Sequence, residues 1–178
     1  MGRNLALCDV ATALGHINPS YKLEIYSNES DERICECLKK HENIIYGGAI
    51  PYIEVQNKML EADVFVIAEG FREEDINFTK YSLSTKAADG LACGVSLLTY
   101  GPSESGVVEY MKSTEAAMVC SDPHALREDI IHLITNKALQ KEYYKNAIKA
   151  SKENHALEST TSIFKMIINR TLEKETGN

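Results

Sequence analysis

No apolar run in this chain of 178 residues approaches the roughly 18 residues that a membrane-spanning helix needs. The first residues show neither a basic stretch leading into an apolar one nor a small-residue cleavage site, so no secretory leader is expected. Lys and Arg number 19 against 26 Asp and Glu, and they are not clustered. The resulting formal charge of -7 argues against a nucleic-acid partner, which would need a basic face, so any phosphate site must be local. The five cysteines, Cys8, Cys35, Cys37, Cys93 and Cys120, are odd in number and include no C-x-x-C pair. They predict reduced thiols and no metal site, with Cys35 and Cys37 on different faces of one helix. No G-x-G-x-x-G follows a strand-like run, which speaks against a dinucleotide-binding enzyme. These absences together predict a cytoplasmic protein with no membrane span.

What the chain does have is ordinary globular composition, 44% hydrophobic and 25% charged, in a length suited to one domain covering residues 1–178. Its apolar periodicity alternates between helices and short buried strands, the pattern of an α/β fold: a Rossmann-like parallel sheet with helices on both faces. Helices are predicted over 5–17, 31–40 and 55–61, with strands over 21–26, 43–46 and 62–68. The last of these is almost continuously apolar, which predicts a central strand covered on both faces. Residues 69–84 read as a long loop, and long structureless connections tend to be functional or mobile. Helix 85–93, strand 95–100, helix 104–111 and strand 116–120 follow. Three C-terminal helices, at about 123–135, 138–153 and 158–173, complete the chain. His155 and Glu158 share helical spacing at a helix junction, which reads as a cap or an exposed pair.

The segment from Tyr81 to Pro102, YSLSTKAADGLACGVSLLTYGP, carries the most chemistry. It reads as a loop, a helix start, a short helix packed through small residues, a buried strand and a glycine turn, which is how an open α/β sheet builds a phosphate-facing crevice. Lys86 falls in the first turn of that helix. A cation there opposes the positive end of the helix dipole, at a cost of about 0.3–1 kcal/mol unless an anion lies between them. Ser84 and Thr85 can cap the helix and offer hydroxyls to a phosphate oxygen. Asp89 lies three residues on, on the same side as Lys86, where the two could form a simple ion pair. Gly101 and Pro102 end the next strand, and the turn Ser103-Glu104-Ser105 opens a helix whose free amides could face the same anion.

This segment resembles the S-x-P-T-K-x-x-(E/D)-Y-L-A-x-G-x-P-(I/V)-L-x-x-G-P stretch in the nucleotide-sugar-binding C-terminal half of group 1 (family 4) retaining glycosyltransferases of the GT-B fold. It departs from that pattern at Ser84, Gly90 and Ser96. Residues 2–27 resemble the Gly-Arg turn, first helix and second strand of the same half, and residues 104–155 its later elements.

The resemblance implies a donor-binding domain that transfers a sugar from a nucleotide-diphosphate sugar with retention, in polysaccharide or glycolipid biosynthesis. No cofactor beyond that donor substrate is implied. Lys86 and Arg3 would stabilise the departing diphosphate, and Ser84, Thr85, Asp89, Gly101 and Pro102 would line the donor. The family's first E-x7-E carboxylate position holds Tyr81 here, and Glu69, in Glu69-Gly70-Phe71, is the candidate that could replace it.

The acceptor-binding N-terminal domain and the strand that precedes the Gly-Arg turn in the family are expected to be absent from this chain. The sheet is therefore expected to show a gap or to be completed by a second copy through its unpaired edges. A non-catalytic α/β binding module and a UDP-sugar 2-epimerase-like half remain as alternatives.

Overall fold

The computed structural model describes residues 2–176, with the side chains of 171 and 173–176 left aside. Helix α1 spans Arg3–Ile17 and buries Ala6, Val10, Ala11 and Ala13, small residues that let it lie close on the strands beneath. It stops at Asn18, whose N–H still reaches the Leu14 carbonyl, because Pro19 biases the residue before it away from helical geometry. Strand β1 (Leu23–Tyr26) pairs in parallel with β2 (Ile44–Gly48). Between them runs α2 (Glu32–Lys39), capped by the Asp31 carboxylate on the Arg33 N–H. Helix α3 (Tyr52–Glu61) starts three residues before the predicted boundary, directly after Pro51, which occupies its N-cap position.

Strands β3 (Val64–Ala68), β4 (Ser96–Tyr100) and β5 (Met118–Cys120) form a second parallel sheet in that order. Two helices connect β3 to β4, α4 (Glu73–Thr79) and α5 (Thr85–Cys93), and α6 (Gly106–Thr114) leads into β5. The segment predicted as an open loop therefore holds a helix. Its apolar residues are too few to show a periodic stripe, and the three acids Glu73, Glu74 and Asp75 in its first turn favour the helix start instead. Helices α7 (Leu126–Thr135), α8 (Lys137–Ala150) and α9 (Leu157–Thr176) close the chain, with a π-helical turn over Ser151–His155. Among the described residues no helix is long and apolar enough to cross a membrane.

Among the described residues the two sheets are not hydrogen-bonded to one another. Helix α1 packs on both β1 and β3, so the break runs beneath a single helix. Leu23 and Ile25 from one sheet share a buried cluster with Ala68, Leu98 and Tyr100 from the other and with Ala6 and Val10 of α1. On the opposite face Ile67, Leu97, Ala87, Leu91, Val107 and Met111 form a second cluster with Ala147 and Ala150 of α8. Alternation along β4 sends Leu97 to one cluster and Leu98 to the other, so that strand is covered on both sides.

Strand β3 departs from its predicted place. It stands at the edge of its sheet, and Val64, Phe65 and Val66 are only half-buried. An apolar run reports that a strand's faces want covering, but it says nothing about which neighbours pair with its edges. The outer edges of β1 and β3 carry no strand partner among the described residues, so the strands show the gap that was expected.

Two local features are directly testable. Helix α5 ends at Gly94, whose φ of 78° is left-handed, so Gly94→Ala should cost about 1 kcal/mol in urea unfolding with the slope unchanged. At the C-terminal junction His155 pairs with Tyr110, not Glu158, with Nε2 2.9 Å from the hydroxyl, which also accepts from Asn154 Nδ2 at 3.0 Å. Burial pushes the His155 imidazole below its ordinary 6.5, so protonation favours the unfolded chain. Its contribution to stability is complete above 6.5 and is lost as pH falls through 6.5 towards the lower folded value. Between pH 7 and pH 5 the melting temperature of the native chain should fall more steeply than that of His155→Gln, and parallel slopes would discount the pair.

Candidate anion site

Three turns converge where the strands of the second sheet finish. Glu69 is the first residue after β3, Gly101 the first after β4, and Arg3 the first residue of α1. The Glu69 N–H reaches the Tyr100 carbonyl at 2.9 Å and the Gly101 N–H reaches the Cys120 carbonyl at 3.1 Å, so the sheet's own ladder fixes both turns. A Cβ on Gly101 would lie 3.0 Å from the Glu69 Cβ, a close approach that keeps the two turns side by side. Gly101 and Pro102 are both buried, so they scaffold the rim without presenting side chains to it.

Glu69 is 3% exposed and receives Arg3 twice, Nη2 at 2.6 Å and Nε at 3.2 Å, on the same carboxylate oxygen. The end of β3 is what sets Glu69 beside the first residue of α1. Lys86 lies in the same neighbourhood, at the second position of α5. Desolvation chiefly, and then the charge of Arg3, push its ammonium below the usual lysine range, while Glu69 pulls the other way. Its side chain remains exposed, and among the described residues it forms no ion pair. Arg3 and Glu69 thus meet from places far apart in the chain, and the Lys86 ammonium feels the charge of both.

The flanking positions behave differently. Ser84 occupies the N-cap of α5 with extended backbone but makes no side-chain cap bond, so its hydroxyl is not committed to the helix. Thr85 is exposed. Asp89 does not pair with Lys86; it accepts from the Tyr52 hydroxyl of α3 at 3.4 Å. Gly90, where the family pattern has an aromatic, lies against Phe65 and Leu97: a Cβ there would be 2.9 Å from Phe65 Cδ1, so α5 rides close on the sheet. Tyr81 is 91% exposed, with the Lys80 ammonium 5.5 Å from its ring centre.

One expectation fails outright. The start of α6 does not open towards this rim, because a Cβ on Gly106 would meet the Ser82 and Lys80 carbonyls at 2.9 and 3.1 Å. The loop between α4 and α5 therefore covers that helix end, and Ser105 is fully buried.

Sequence reading also missed residues that matter here. Gly2 donates its N–H to Asp75 Oδ1 at 2.8 Å, which brings α4 onto the start of α1. A cleft of about 190 Å³ beside Arg3 is lined by Glu69, Gly70, Glu74, Asp75, Phe78 and Thr79. The acid run Glu73-Glu74-Asp75 was the only signal available, and it marks a helix start without saying what that helix meets. Among the described residues no group of three or more His, Cys, Asp and Glu could hold a metal ion.

No protein-family model matches the chain, and no curated protein does. Among solved structures the chain is similar to the crystal structure of WaaG, a glycosyltransferase involved in lipopolysaccharide biosynthesis. The TM-score is 0.58 at 17% identity, over 86% of this chain and 40% of that one, so this chain spans about two fifths of the neighbour's length. A likeness at this identity is one of fold, and the fold is a Rossmann-like arrangement of parallel strands with helices on both faces.

Proposed function

We propose that this chain is the donor-binding, C-terminal-type domain of a group 1 (family 4) retaining glycosyltransferase, which holds a nucleotide-diphosphate sugar at the rim formed by Arg3, Lys86 and Ser84. The observation that carries the reading is the position of Lys86 in the first turn of α5, exposed and with no ion pair among the described residues. Breaking a glycosidic bond to a diphosphate builds negative charge on the leaving group, and two cations beside a helix start would stabilise it. Thr85 and Asp89 are proposed to take the sugar and ribose hydroxyls, with Gly101 and Pro102 shaping the rim.

The acceptor, and any base that activates it, would come from a further domain, since this chain covers two fifths of the similar glycosyltransferase. Polysaccharide or glycolipid assembly in the cytoplasm is the proposed setting. The open edges of β1 and β3 support a homo-oligomer in which a second copy pairs with them, and sedimentation at micromolar concentration would test it: a strict monomer removes that partner.

Calorimetric titration with UDP, GDP and their sugars tests the donor reading. Millimolar-or-better binding is expected, weakening as pH rises towards the depressed lysine value and the ammonium loses its proton. One observation favours a second reading, a binding module without catalysis: Arg3 is held by Glu69, the residue that would otherwise replace the missing carboxylate at Tyr81. Donor binding without donor hydrolysis or transfer, even with an acceptor domain supplied, would select it.

A further inference from the structure

The rim proposed to take a diphosphate is occupied by carboxylates of the chain itself. Gly2 is the N-cap residue of α1, and its N–H points to Asp75 Oδ1 at 2.8 Å. A carboxylate thus sits where the free amides and positive dipole end of a helix favour an anion. Two glycines make room for it: a Cβ on Gly70 would lie 2.5 Å from Asp75 Oδ2, and a Cβ on Gly2 would collide with the same oxygen. That Oδ2 is buried and has no hydrogen-bond partner among the described residues, so half of the carboxylate is desolvated without return. Arg3, the next residue, is held by Glu69 at 2.6 Å. The adjoining cleft carries Glu69, Glu74 and Asp75. While these carboxylates stay in place they repel a diphosphate.

We propose that α4 is an internal competitor for this site, with Asp75 holding the start of α1 and Glu69 holding Arg3 until a phosphate-bearing ligand displaces them and α4 leaves the rim. The inference rests on the donor reading above and adds its regulation. Helix α4 suits a displaceable element. It has seven residues, shorter than a helix that persists by itself, and no side chain caps its start. Glu73, Glu74, Asn77 and Phe78 are exposed, with Phe78 at 71%, so little apolar surface anchors it. A short acidic helix held through a half-unsatisfied carboxylate is inexpensive to release.

The test uses inorganic pyrophosphate and UDP with the full chain, in two measurements. Hydrogen exchange on the native chain should accelerate at least tenfold across residues 73–79 at saturating ligand. In calorimetry Asp75→Asn should bind both ligands about tenfold tighter than the native chain, because a neutral amide holds the α1 start less strongly. Unchanged or slower exchange over 73–79 while calorimetry registers binding overturns the proposal, and so does equal or weaker binding by Asp75→Asn. If that variant does not fold, the exchange result on the native chain decides. No heat from the native chain and none from the variant overturns the donor reading itself and this inference with it, an outcome distinct from binding that leaves α4 in place.

Discussion

Lys86→Ala should raise the Kd for UDP or a UDP-sugar by roughly 10- to 100-fold, since a charge-assisted contact in a partly desolvated place is worth about 1.5–3 kcal/mol. The side chain is exposed and takes part in no ion pair among the described residues, so its removal should leave stability within about 0.5 kcal/mol. That separation makes the experiment decisive: affinity falls while the melting curve stays where it was. Arg at this position should restore part of the binding, because it keeps the charge but not the ammonium's compact shape. Affinity equal to that of the native chain would remove Lys86 from the site, and the donor reading would lose the observation that carries it.

The second large effect concerns the platform on which Lys86 stands. Leu91 is fully buried and is the one large apolar side chain among the buried residues of α5, the others being Ala87 and Gly90. It packs in the cluster with Ile67, Leu97 and Met111. Leu91→Ala should therefore cost about 2–5 kcal/mol, the range for opening a cavity that small neighbours cannot fill. Against a total stability of about 5–15 kcal/mol for a domain of this kind, that is a large fraction. Guanidinium unfolding should show a lowered midpoint with an unchanged slope, and donor affinity should fall with it as α5 loosens. A midpoint within experimental error of the native one would mean that α5 is held by something other than this anchor. Tyr81→Ala, on the neighbouring loop, is the control: its side chain is 91% exposed and its loss should leave the midpoint in place.

The residue pattern carried some elements and not others for identifiable reasons. Helix α5 matches its predicted span of 85–93 because both ends are written in chemistry, a serine in the N-cap position and a glycine with left-handed φ just beyond the last turn. Helix α4 was missed because Glu73 to Thr79 contains Ile76 and Phe78 and no other large apolar residue, too little for a stripe. Strand β3 was legible as apolar but not as an edge. Helix α7 starts at Leu126, later than the predicted 123, because the Asp122 carboxylate accepts the His124 N–H at 2.9 Å and builds a turn ahead of the helix.

Local residue order determined that this chain is an α/β domain with a helix start at Ser84 and a cation just inside it. Periodicity and capping act over a few residues, and a single sequence displays them. The tertiary structure alone decided that Arg3 meets Glu69 across 66 positions, that Asp75 sits on the start of α1, and that the start of α6 lies under a loop. It also decided that, among the described residues, β1 and β3 are not paired with each other beneath α1. Contacts of that range depend on how elements pack, and packing is set by the summed shape of surfaces that no local window of sequence contains.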